Sequence, residues 1–236
     1  MKRKLKLSLL VLTVLLATGA RAEEATVRQA FLAKFPKATV ESVTKTPFPG
    51  VFEVVLDGQI YYTDAKATYV FSGSLIDMRG REPRNLTQET SNKLAASALA
   101  KSTDFAVKRV RGNGKRVVYT FEDPNCGYCK ELQKELAKVN DVTIYTFLWP
   151  ILSPDSMDKS KGIWCSRDRA KAWEDYMLKG VAPTAKRDCD ATAIEKNQRL
   201  AQRFNLKGTP AVYVGSGEQV GGFLPATQLE AALGPR

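Results

Sequence analysis

The spacing of apolar positions changes several times along this chain, and each change marks an element. Val27, Ala30, Phe31 and Lys34 share one face at helical spacing before Phe35-Pro36, which predicts a short helix. Apolar, β-branched and aromatic runs follow at 40–46, 51–56, 59–63, 67–71 and 74–77, punctuated by Pro49-Gly50, Asp57-Gly58 and Ser72-Gly73. They predict an antiparallel meander. Asp57-Gly58 is the strongest of the turn signals, because both residues accept the positive φ that a two-residue hairpin demands. After Arg81-Glu82-Pro83-Arg84, Asn85 or Thr87 can cap a helix through Leu94, Ala95, Ala96, Ala98 and Leu99 to about Lys101.

Beyond this helix the pattern changes. Residues 117–121 and 142–148 are dense β-branched and aromatic runs and predict strands. Between them Leu132, Leu136 and Val139 recur at helical spacing among lysines and glutamates. A largely helical stretch is expected from about 156 to 205, then a hairpin of 211–214 and 219–223 about Gly215-Ser216-Gly217, and a closing helix over 226–233 stopped by Gly234. The order is β-α-β, helical insert, β-β-α. The predicted organisation is an N-terminal α+β domain over 23–84, a linker helix within 85–104, and an α/β domain over 105–236 with an insert at about 152–205.

Residues 1–22 stand outside this pattern. Lys2, Arg3, Lys4 and Lys6 precede an apolar run from Leu9 to Ala17 and a small-x-small Ala20-Arg21-Ala22, as in a signal peptide cleaved after Ala22. Export is therefore expected. The formal charge of +11 then falls, because the segment carries five basic residues and no acid, leaving 31 against 25. Such a surplus, with no recognisable reading module, does not call for nucleic acid. The cluster Lys108, Arg109, Arg111, Lys115 and Arg116 reads as a solvated face, or weakly as a surface for acidic partners.

Chemistry concentrates at Cys126-Gly127-Tyr128-Cys129, where the first strand of the α/β domain gives way to a helix. This places Cys126 at a helix N-terminus, where unpaired N–H groups and the dipole favour a thiolate, and Cys129 one turn further in and buried. An exposed, acidic thiol beside a resolving thiol supports dithiol–disulfide exchange. Glu122 and Asp123 would oppose the anion, so the net direction of the shift stays open. Zinc is the alternative for four cysteines, but Cys165 and Cys189 lie 24 positions apart and the chain has no histidine. That absence also removes imidazole acid–base catalysis and Cys-His proteolysis. A purely structural disulfide between Cys126 and Cys129 is the remaining alternative.

The run Phe-Glu-Asp-Pro-Asn-Cys-Gly-Tyr-Cys at 121–129, Gly208-Thr209-Pro210-Ala211, and a small β-rich domain with a linker helix in front resemble the bacterial periplasmic thiol:disulfide isomerases of the DsbC/DsbG type. Gly-Tyr between the cysteines is closer to the DsbC pattern. The resemblance implies a thioredoxin fold with a helical insertion, and a homodimer joined through the N-terminal domains. It implies catalysis by Cys126 and Cys129, substrate contact by Gly127, Tyr128, Thr209 and Pro210, and a cis Pro210 facing the dithiol. An ordinary trans proline opening an edge strand is the alternative. It also implies a structural disulfide between Cys165 and Cys189, clients that are misfolded disulfide-containing exported proteins, and a membrane reductase of the DsbD type. Neither a metal nor an organic cofactor is required. Lys130 stands where relatives often carry histidine. Two other functions remain open: a DsbG-like reductase of oxidised single cysteines, and a holdase that binds unfolded chains without redox turnover.

Overall fold

In the computed structural model, residues 23–183 and 189–235 are described; the expected signal peptide lies outside them. The chain divides between Glu89 and Thr90 into two compact units.

In the first unit, helix α1 (residues 23–34) turns Val27 and Phe31 onto a sheet of β1 (Val40–Lys45), β2 (Val51–Leu56), β3 (Gln59–Asp64) and β4 (Val70–Phe71). All three pairings are antiparallel and follow chain order, as a meander requires. Leu56 pairs with Gln59 across Asp57 (φ 49°) and Gly58 (φ 77°), the backbone that the Asp-Gly pair predicts. β4 is shorter than the expected strand over 67–71. The Asp64 carboxylate accepts the backbone N–H groups of Thr68 (2.7 Å) and Tyr69 (3.1 Å), drawing this segment into a turn with Ala67 at positive φ. β5 (Ile76–Asp77) pairs with β6 (Arg84–Asn85), and Asn85 caps helix α2 (Leu86–Lys101) by accepting the Gln88 N–H at 2.9 Å.

The second unit is built on a five-stranded sheet. After the later turns of α2 come β7 (Val107–Arg111), β8 (Arg116–Glu122), α3 (Gly127–Leu136) and β9 (Val142–Leu148). The insert follows as α4 (Pro154–Trp164), α5 (Arg169–Lys179) and α6 (Thr192–Arg203), and β10 (Ala211–Val214), β11 (Gln219–Gly221) and α7 (Ala226–Leu233) close the chain. The strand order is β11-β10-β8-β9-β7. Only β8 and β9 run parallel, and α3 supplies the crossover that a parallel pair needs. One face buries Val118, Ile144 and Val212 against Leu132 and Leu136 of α3 and Leu229 of α7. The other buries Tyr119, Phe121 and Phe147 against Ala95 and Leu99 of α2 and Ala201 of α6, with Phe121 and Phe147 stacked at 4.9 Å. Both faces of the central strands are covered, hence their continuous apolar runs. Among the described residues no helix is long and apolar enough to cross a membrane.

The basic cluster departs from expectation. Lys108 and Lys115 are exposed, but Arg109 and Arg116 are 6 % and 8 % exposed. β7 sets Val107 and Arg109 inward and turns Val110 out, so its charges conceal a strand. Arg116 donates to Glu230 at 2.6 Å and to the Gly234 carbonyl at 3.1 Å, tying β8 to α7. Arg109 and Arg116 are thus internal clasps, whereas Lys108 and Lys115 keep the solvated position expected of them.

Candidate functional site

β8, the central strand, ends at Glu122, and the loop 123–125 turns the chain from its carboxyl end into α3. Asp123 organises that loop. Its buried carboxylate accepts the N–H groups of Asn125 (2.7 Å), Ile151 (2.8 Å) and Leu152 (2.9 Å), while its carbonyl accepts the Cys126 N–H at 3.0 Å. The negative charge that the sequence places beside the dithiol is thus held by backbone amides.

Cys126 is the N-cap of α3, with extended backbone (φ −76°, ψ 119°), and its sulfur accepts the Cys129 N–H at 3.3 Å. The residue is 6 % exposed, less open than expected, and belongs to the core cluster that includes Cys129, Ile163 and Trp164. As a thiol, Cys126 donates to the Thr209 carbonyl at 3.4 Å. Thr209-Pro210 is a cis peptide, and Pro210 is buried. The structure therefore brings Cys126, Cys129 and the Thr209-Pro210 loop together. Gly127 is exposed with open space where a side chain would stand, and Tyr128 is 70 % exposed. The intervening dipeptide is therefore the exposed part of the motif, beside a buried sulfur.

The two thiols are driven apart in acidity. Cys126 is lowered from 9.0 to about 6, chiefly because the Cys129 thiol donates to its thiolate. Burial works against this shift; the Thr209 side chain and the N–H groups of Cys129 and Tyr128 reinforce it. The Thr209 hydroxyl is buried and lacks a hydrogen-bond partner among the described residues, so it is available to an anionic sulfur. Cys129 is pushed far up, first by burial, then by its bond to Cys126 and the charge of Glu122. One sulfur can ionise near neutrality and the other holds its proton.

Beneath them lies a polar network that the sequence does not announce. Glu122 is fully buried, and both its carboxylate oxygens accept from Gln133 Nε2, at 2.7 and 2.8 Å. Gln133 in turn accepts from Arg109 at 2.5 Å, and Arg109 also donates to Thr146 at 3.0 Å. Burial raises the Glu122 pKa, with Thr120, Arg109 and Gln133 opposing. Its place two residues beyond Thr120, on the same face of β8, is the one available sequence signal.

Cys165 and Cys189 form a disulfide within the insert, with Cα atoms 5.7 Å apart, so these sulfurs stand apart from the dithiol. Trp164 and Trp173 are core residues, 5 % and 0 % exposed, and Trp164 donates its indole N–H to the Asp190 carbonyl at 3.1 Å.

Comparison with known proteins agrees with this geometry. Residues 103–235 match the thioredoxin-like domain family, and residues 18–88 the family described as the disulfide bond isomerase protein N-terminal domain. The chain is 44 % identical over 208 residues to a probable thiol:disulfide interchange protein DsbC of Bordetella parapertussis, covering 88 % of this chain and 73 % of that protein. It is 27 % identical over 219 residues to the thiol:disulfide interchange protein DsbC of Escherichia coli K12, covering 91 % and 89 %. Among solved structures, a disulfide interchange protein from Neisseria gonorrhoeae superposes with a TM-score of 0.53 at 42 % identity, over 56 % of this chain and 94 % of that one.

Proposed function

From the premise that this chain belongs to the DsbC family of thiol:disulfide interchange proteins, we propose that it reshuffles and reduces non-native disulfides in exported proteins, with Cys126 as nucleophile. The observation that carries this reading is the position of the Cys126 sulfur, capping α3 at 3.3 Å from the Cys129 N–H and 3.4 Å from the Thr209 carbonyl.

The Cys126 thiolate attacks one sulfur of a client disulfide; a Cys126–client bond forms and the other client sulfur leaves as a thiolate. In isomerisation a different client thiolate then attacks the mixed disulfide, a new client bond forms and Cys126 is released as thiolate. In reduction Cys129 attacks Cys126 instead, its proton is lost, the client leaves reduced and Cys126 and Cys129 become a disulfide. Glu122, buried and coupled to both thiols, is the acid–base group suited to take that proton. Thr209, beside the cis Pro210, offers its backbone to an extended client strand, with Gly127 and Tyr128 forming the approach.

Reduction consumes the dithiol, so a reductase of the DsbD type is the expected electron donor. The periplasm is the expected compartment. The N-terminal unit suits homodimer assembly: β4 is a short edge strand whose Val70 and Phe71 are about half exposed, beside Tyr69 at 77 %.

Refolding of scrambled ribonuclease tests the reading. Cys126→Ser should abolish activity. Cys129→Ser should accumulate mixed disulfides and retain some isomerisation. Full activity in both variants would overturn the dithiol mechanism, and a sedimentation mass equal to one chain would overturn the dimer.

A further inference from the structure

The side chain immediately before the nucleophile reaches away from it and joins two helices of the insert. Asn125 Nδ2 lies within hydrogen-bond distance of Ser153 Oγ (3.1 Å), Asp155 Oδ2 (3.0 Å) and Ser156 Oγ (3.0 Å) at the start of α4. Its Oδ1 accepts from Lys159 Nζ of α4 at 2.7 Å and from the Tyr176 hydroxyl of α5 at 3.1 Å. The orientation of the amide is fixed by chemistry, since a carboxylate must face its N–H₂ and an ammonium its oxygen. The amide offers two hydrogens to the three oxygens at the start of α4 and one oxygen to Lys159 and Tyr176, so neither Ala nor a side chain with donors alone or acceptors alone could serve both sets.

The same residue is held from its backbone side. The Asn125 N–H donates to the Asp123 carboxylate, whose other oxygen binds the Ile151 and Leu152 N–H groups. Asn125 is therefore fixed by main chain and side chain together, one peptide from Cys126. We propose that Asn125 is a positioning residue: it transmits the packing of the α4–α5 insert to the Cys126 loop, and so holds the sulfur at the helix cap where its donors converge.

Groups facing the site from every packed element enter the test. Cys129 lies on α3, Glu122 on β8 and Thr209 on the loop before β10; these act on Cys126 itself. Asp155, Lys159 and Tyr176 touch Asn125, and Lys130 lies over the Tyr176 ring at 5.4 Å. The proposal rests on Cys126 being the attacking thiol, which Cys126→Ser tests separately.

The experiment is the pH profile of iodoacetamide alkylation of the reduced full chain, with thermal unfolding measured in parallel. Asn125→Ala should move the Cys126 midpoint upward by about one unit, which lowers the rate at pH 5.5 about eightfold and leaves the rate at pH 8.5 within about twofold. Tyr176→Phe, which removes one hydroxyl from the same amide, should move it in the same direction by less, and the double variant should not exceed Asn125→Ala alone. An unchanged midpoint in Asn125→Ala, even with a lowered Tm, would reduce Asn125 to a structural contact and overturn the proposal. So would additive shifts in the double variant. If Asn125→Ala does not fold, Tyr176→Phe decides: a shifted midpoint upholds the coupling and an unshifted one refutes it.

Discussion

Replacing Cys129 with Ala removes the largest contribution to the acidity of Cys126, the thiol that donates to its thiolate. A hydrogen bond to a charged group contributes about 1.5–3 kcal/mol, and about 1.4 kcal/mol corresponds to one pH unit. The midpoint should therefore rise from about 6 by roughly one to two units. Cys129→Ser, which keeps a hydroxyl donor, should move it less. In the reduced wild type, alkylation followed by mass between about pH 4 and 10 should show a single thiol, because burial holds Cys129 protonated throughout. A midpoint unmoved in Cys129→Ala, or a wild-type midpoint near the ordinary 9.0, would refute this account of the site.

The same shift links acidity to stability. Between about 6 and 9.0 the unfolded chain holds a proton on Cys126 that the native protein has released, so stability of the reduced protein rises with pH across this window. It is lost as pH falls through the folded value. Solvent entering beside Gly127 and Tyr128 screens part of the effect, so the gain should be about 2 kcal/mol rather than the ~4 kcal/mol that the full difference implies. Glu122 acts in the opposite sense: its raised pKa contributes stability below the ordinary 4.5 that is lost as pH rises through its folded value. Urea unfolding of wild type against Cys126→Ser across the same range isolates the thiol.

Arg109→Met should cost about 3 kcal/mol at pH 8, because it leaves Glu122 buried without its cation, and less at lower pH as Glu122 takes up a proton; chemical denaturation at two pH values would show it. A loss within about 0.5 kcal/mol would return Arg109 to the solvated surface. Gly217→Ala should cost more than about 2 kcal/mol, since Gly217 has φ 83° and an added methyl would overlap the Asn92 carbonyl oxygen and the Ala96 backbone of α2; thermal unfolding measures this. Replacing Cys165 and Cys189 together by Ala should lower stability by about 3 kcal/mol through the loop they close, yet leave the alkylation profile of Cys126 unchanged.

What the sequence disclosed depended on how much information each local pattern carried. β2 and β9 occur over the residues predicted, because runs such as Val-Thr-Ile-Tyr-Thr-Phe-Leu are buried on both sides and admit no other period, and α7 does so because Gly234 stops it. β7 was hidden because Arg109, not Val110, faces inward; a buried guanidinium is decided by Gln133 and Thr146, 24 and 37 residues away. The predicted helical stretch is three helices, broken after Trp164 and after Lys179, where Gly180 takes a left-handed turn (φ 72°) and the disulfide follows. The cysteine pair and its setting at a helix start were legible from spacing alone. The acidity of Cys126 was not, because its largest cause is a contact made only when α3 forms, and because Asp123, adjacent in sequence, turns its charge onto the amides of Ile151 and Leu152.

That arrangement explains how a chain without histidine favours a thiolate. An imidazolium would itself titrate near pH 6.5, so the acidity it conferred would fade across the range in which the thiol must work. The groups that lower Cys126 here are a thiol, a hydroxyl-bearing side chain and two backbone N–H groups, none of them a cation. None of these donors loses a proton near neutrality, and contacts this short are little screened by salt. Lys130, in the position after the dithiol, lies over the ring of Tyr176 rather than among the groups acting on the sulfur. The reactivity of Cys126 is therefore set by geometry, by whether the cap of α3 and the Thr209 loop stay closed around one sulfur, rather than by the charge of a neighbouring cation.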